Sequence, residues 1–171
     1  MDLRATGILR ALGHDPTLVA RPEPLPAPLD VGEGPLDLAI DVRFAADRIE
    51  VPSDMSASDR DRMRDNLRGR EVLRVDRFPW IEWRGRYAGT RAGGRLKGDL
   101  VLLGVPRPTS FDVSVESVET GDAALVATGA WSGRLTELGI KPFKALMGAL
   151  RLEDWIRLRL DARWVPGQSS A

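Results

Sequence analysis

The sequence predicts a mainly β protein: about eight antiparallel strands closed into a barrel, with two short helices. Three observations lead there. The first is the stretch from Leu150 to Trp164, where Leu150, Leu152, Ile156, Leu158, Leu160, Ala162 and Trp164 alternate with mostly charged residues. Strict alternation puts apolar side chains on one face of a strand and charges on the other, whereas a helix would scatter the leucines around its girth. The second is that most of the other strand candidates also carry a single apolar face. The third is that two short helices cannot cover so much apolar sheet, so the sheet must close on itself or pack as a sandwich. Closure also removes exposed edges. An eight-stranded barrel is either filled by its own side chains or holds one small ligand.

The elements follow in order. Residues 2–20 give two short strands around Gly13-His14-Asp15-Pro16, a cluster of turn formers. Pro22, Pro24, Pro26, Pro28 and Pro35 make the next stretch extended and unfit for a central strand. Leu36, Leu38, Ile40, Val42 and Phe44 alternate with Asp37, Ala39, Asp41 and Arg43, a second clear amphipathic strand. Arg48 to Val51 is a short strand candidate ending at Pro52. Residues 56–69 change period: Ser58 caps a helix with Asp61 three residues on, Met63 and Leu67 face inward, and Gly69 ends it. The interleaved aspartates make its arginines a solvated face rather than a basic patch.

Glu71 to Val75 is another short strand candidate. Ile81, Trp83 and Tyr87 then share one face, and Gly93-Gly94 marks a hairpin turn. Leu96, Leu100 and Leu102 line the returning strand, and 104–108 is a turn. Phe111, Val113 and Val115 alternate with serine and aspartate. Ala123 to Trp131 is a strand of small residues, which allow close backbone approach or leave room in a cavity. Lys141 to Ala149 reads as the second helix, with Pro142 in its first turn. The final strand, Leu150 to Trp164, would span roughly 50 Å at about 3.3 Å per residue, so it is bent or shared between two neighbours. Residues 1–165 form one domain, and 166–171 are a small, polar, flexible tail.

Composition closes off several functions. The 171 residues carry 25 Lys plus Arg against 25 Asp plus Glu, so net charge is zero. Nothing draws the whole chain to nucleic acid or to an anionic membrane surface. Without cysteine there are no disulfides, thiol nucleophiles or thiolate metal sites, and one histidine excludes a multi-histidine metal site. No cofactor is expected. The N-terminus lacks an apolar run of signal-peptide length and no stretch suits a bilayer span, so the expectation is a cytoplasmic protein. The sequence allows a homodimer. His14, followed by Asp15, is the one general-base candidate or head-group anchor. Its ordinary reading is a turn histidine bonded to backbone.

Four segments resemble a known family. They are Asp59-Arg60 through REVLRVDRFPWIEW, LKGDLVLLGVPRP, TGAWSGRLTELGIKP and TGILRALGHD. In order and spacing they are similar to the YceI-like, or polyisoprenoid-binding, family, from about residue 4 to residue 164. The resemblance implies a lipocalin-like antiparallel barrel with attached helices around an elongated apolar cavity. It also implies binding of an isoprenoid or other amphiphilic lipid, in a family many of whose members are exported. The expected function is therefore non-catalytic carriage of a polyisoprenoid, quinone-like or fatty chain. The chain would lie along Leu38, Ile40, Trp83, Leu100, Leu102, Phe111, Val113, Leu158 and Leu160, with His14 near the head group. Two alternatives stay open at this point. One is a hydrolase or isomerase using His14 and Asp15. The other is a filled barrel acting as an interaction module through a residue such as Trp155.

Overall fold

The computed structural model describes residues 2–11, 17–23, 34–120, 122–142, 144–145 and 150–164. Among them are nine strands: β1 (Asp2–Ala11), β2 (Thr17–Ala20), β3 (Leu36–Ala45), β4 (Trp80–Thr90), β5 (Gly93–Leu102), β6 (Val105–Thr120), β7 (Asp122–Gly133), β8 (Lys144–Ala145) and β9 (Leu150–Trp164). They pair in the order β2-β1-β9-β7-β6-β5-β4-β3, with β8 on β9 outside that path. Every pairing is antiparallel.

The long β9 has the bounds its alternation predicts, and it is shared. Leu160 pairs with Ala5 on one side and Gly129 on the other. That double use explains a strand of 15 residues. At the ends of the path, isolated bridges Pro22↔Phe44 and Val19↔Glu50 join the β2 side to the β3 side. No continuous ladder joins them among the described residues.

Several local expectations are corrected. The β4–β5 turn is Arg91-Ala92, and Gly93 and Gly94 already belong to β5. Gly94 lies opposite Gly89 and Gly98 opposite Gly85. A Cβ on Gly98 would sit 2.6 Å from Gly85 Cα, so these glycines serve close approach rather than turning. The β5–β6 turn is Leu103-Gly104, with φ of 54° and 74°. Positive φ at both positions fits the two-residue hairpin that matches strand twist. The strand therefore resumes at Val105, not after Pro108. Pro106 and Pro108 are tolerated because β7 pairing begins only at Asp112, leaving this part of β6 an edge.

The helix α1 (Ala57–Arg68) is capped by Ser56, not Ser58. Ser56 Oγ accepts from Asp59 N at 3.2 Å and donates to Asp59 Oδ2 at 2.7 Å. Both serines have an aspartate three residues on, and Ser56 wins because its own backbone is extended there, with ψ of 153°. Arg48 to Val51 is not a strand: a 3-10 turn, Ala46–Arg48, precedes a single bridge at Glu50. Glu71 to Val75 forms turns that bury Val72 and Leu73. The second helix is absent among the described residues. Within Lys141 to Ala149, Lys144 and Ala145 pair with Arg151 and Leu150 as β8, while 143 and 146–149 lie outside the described residues. A short segment with Gly148 near its end has little helical preference to oppose this pairing. No helix among the described residues is long and apolar enough to cross a membrane.

Candidate ligand cavity

The apolar faces of the strands surround a cavity of about 530 Å³. It is lined by Leu38 and Ile40 from β3, Trp83 from β4, and Leu100 and Leu102 from β5. Phe111 and Val113 from β6 and Leu158 and Leu160 from β9 complete the set of apolar residues expected from alternation. His14 and Asp15 lie outside the described residues.

Burial of the apolar rows of β3, β6 and β9 falls toward one end of the sheet. On β3, Val42 and Phe44 are buried while Leu36 and Leu38 are half-buried. On β6, Phe111 and Val113 are buried and Val115 is half-buried; on β9, Ile156 is buried and Leu160 and Ala162 are half-buried. The register puts Phe44 and Ile81 toward one end and Leu36, Thr90, Val115 and Ala162 toward the other, with the buried Val113 level with Leu36 through Gly89 and Gly94. The cavity thus has a closed end and a mouth.

Side chains outside the sheet close the inner end. Leu67 comes from α1, and Val72 and Leu73 from the turns after it. Leu135, Leu138 and Ile140 come from the segment after β7. Sequence reading missed these last three as lining residues because they follow neither period. Their only signal was three aliphatic residues within six positions, bounded by Gly133 and Pro142.

The buried polar side chains at the wall are paired, among the described residues. Trp83 Nε1 donates to Thr109 Oγ1 at 2.9 Å, and Thr109 Oγ1 donates to Gly98 O at 3.3 Å. Tyr87 Oη donates to Thr90 O at 2.7 Å. Burial pushes the Tyr87 phenol above its ordinary value, with a backbone hydrogen bond at Thr90 opposing. Among the described residues, one buried side-chain polar atom lacks a partner, Arg107 Nε, and Arg107 is not on the lining. Among the described residues, charge reaches the lining only through exposed ones, Asp41, Arg91 and Arg159. Asp41 is paired with Arg84 at 3.5 Å.

Asp154, the polar exception on the apolar face of β9, has a structural partner. Its Oδ1 accepts from Thr136 N and its Oδ2 from Thr136 Oγ1, both at 2.9 Å. The Thr136 backbone bond holds this carboxyl below its ordinary value against some desolvation, with Thr136 Oγ1 and Arg134 adding to the effect. Trp155 is half-buried, with the Arg157 guanidinium 5.7 Å from its ring centre. Among the described residues, no group of three or more His, Cys, Asp or Glu side chains converges as a metal site would require.

Comparison with known proteins agrees with this architecture. A protein-family model described as YceI-like domain matches residues 30–163. The crystal structure of Burkholderia cenocepacia BcnA superposes with a TM-score of 0.64 at 6% identity, covering 95% of this chain and 96% of that one. The Campylobacter jejuni YceI protein, crystallised with large solvent channels, gives 0.57 at 11% identity, covering 84% and 91%. A mutant CJ YceI protein with a monobromobimane guest gives 0.58 at 13%, covering 93% and 85%. At such identities the superpositions speak for the fold alone. No curated protein matches the chain.

Proposed function

We infer that this chain, which belongs to the YceI-like family, is a non-catalytic carrier holding the hydrocarbon part of an amphiphile in its cavity. The family is known as polyisoprenoid-binding, and a polyisoprenoid, a quinone-like molecule or a fatty lipid suits the site. One observation carries the reading. The cavity is about 530 Å³, and the two buried polar side chains that line it among the described residues, Trp83 and Tyr87, already have partners inside the protein. A polar ligand group placed there would lose water and gain little in return. A hydrocarbon chain loses nothing and gains roughly 0.8 kcal/mol per buried methylene.

The barrel belongs to the same proposal. The bridges Pro22↔Phe44 and Val19↔Glu50 bring the two ends of the strand path together, which is how a closed lipocalin-like wall would start. The head group would stay at the mouth, near Thr90 and Arg91. Catalysis is not needed for this role. Native mass spectrometry of protein purified from its own host tests it. The expected result is a bound lipid that organic extraction releases. Apoprotein that also takes up no isoprenoid alcohol or fatty acid when these are offered would overturn it.

A further inference from the structure

We propose that the buried plug of Leu135, Leu138 and Ile140, clasped to the wall by Asp154, is a length stop that matches the cavity to chains of fifteen to twenty carbons. This rests on the carrier reading and adds a limit to it. Leu135 and Leu138 are 0% and 2% exposed, the largest fully buried side chains among the described residues, and both face the cavity. They come from a connection rather than a strand, so they close an end instead of extending a wall. The connection is tight: Leu138 N and Ile140 N both donate to Leu135 O at 3.0 Å, and Gly139, at φ 82°, reverses the chain between them. Asp154 then ties Thr136 to β9, the strand that also supplies Ile156 and Leu158 to the wall. Opposing it are Leu67, Val72 and Leu73, so a chain entering at the mouth meets side chains at the far end.

The volume sets the length. At about 30 Å³ per non-hydrogen atom, the share of one water in the liquid, a cavity of about 530 Å³ holds roughly 18 such atoms. That is between three and four isoprene units. Longer chains would bind with the excess outside, gaining nothing from the added carbons.

The test is displacement of a fluorescent fatty-acid analogue by geraniol, farnesol, geranylgeraniol and solanesol, with ten, fifteen, twenty and forty-five carbons. Affinity should rise about tenfold or more from geraniol to farnesol, since each buried methylene counts several-fold, and change less than about threefold from geranylgeraniol to solanesol. Leu138→Ala should move the plateau to a longer alcohol, and Val115→Ala at the mouth should not. If Leu138→Ala does not fold, Leu138→Val reads the same shift on a smaller scale. Affinity that climbs evenly through solanesol would overturn the stop and leave the carrier standing. So would a plateau that moves with Val115 but not with Leu138. Folded protein that binds none of the alcohols would sink the carrier reading itself.

Discussion

Thr109→Val isolates the physical claim on which the apolar cavity depends. Thr109 and Trp83 are 5% and 6% exposed, and their bond is 2.9 Å long. Valine has nearly the same shape as threonine but cannot accept, so Trp83 Nε1 loses its partner beside an apolar lumen. A buried donor left unpaired costs about 1–3 kcal/mol. For a chain of this size 1 kcal/mol corresponds to roughly 2–4 °C in Tm. The assay is urea unfolding of the apoprotein, with the midpoint converted through an unchanged m-value. Trp83→Phe removes the donor instead, at the expense of ring volume and of the edge contact with Phe111, whose ring centre is 6.4 Å away. The double variant separates these effects. With the donor gone, Thr109→Val costs only its 3.3 Å bond to Gly98 O, which is lost in both backgrounds, so the coupling should be about 1 kcal/mol or more. A Thr109→Val protein within about 0.5 kcal/mol of wild type, or a coupling near zero, would refute the reasoning. The interior would then tolerate an unpaired polar atom, and the argument against a polar ligand group inside would lose its basis.

Other predictions follow from the same geometry. Leu102→Ala and Phe111→Ala would cost roughly 2–5 kcal/mol in a packed core. On the cavity wall the apoprotein should lose less, and the preferred alcohol length should shift in the displacement assay. Gly98→Ala should destabilise strongly by urea unfolding, because the new Cβ would lie 2.6 Å from Gly85 Cα and against the Arg84 carbonyl. The Asp154 carboxyl is held below its ordinary value of 3.8, so its contribution to stability is complete above that value and is lost as pH falls through the lowered one. Asp154→Asn should therefore flatten part of the acid limb of a Tm-against-pH curve. Asp37, lowered by Arg86, supplies its own limb, so the difference between the two curves is the quantity to compare. Circular dichroism should report mostly strand, with helix well below the ~30% typical of globular proteins.

What the sequence made legible was whatever rests on period. β3 and β9 have the bounds expected from alternation, because no helix accommodates charge at every second position for so long. The apolar lining followed from the same rows. Period gives no help with Leu135, Leu138 and Ile140, which pack by closing an end rather than by lying on a face. Val72 and Leu73 failed for the same reason: buried in turns, they look like a short strand. Gly93 and Gly94 misled in another way. Glycine signals a turn when only local conformation is considered, but here it answers a neighbour across the sheet, and that neighbour is not local. Lys144 and Ala145 show tertiary pairing overriding a weak helical preference.

Those glycines also bear on why the interior is hollow. Along the inner face of β4 the order is Trp83, Gly85, Tyr87, Gly89, and opposite them on β5 stand Leu100, Gly98, Leu96 and Gly94. Every second position therefore lacks a side chain on both strands at once. The aromatic rings lean over the gaps: a Cβ on Gly85 would lie 2.5 Å from Trp83 Cη2, and one on Gly89 would lie 2.8 Å from Tyr87 Oη. Lying along the wall, the rings shield the paired backbones and leave the lumen clear. A Cβ at any of these four positions would come within 2.5 Å of a backbone oxygen, so no larger residue could fill the gaps without moving the strands apart. The rings of Trp83 and Tyr87 therefore face the cavity where the glycines do not, and on the carrier reading proposed above they are part of the surface along which a hydrocarbon chain would lie.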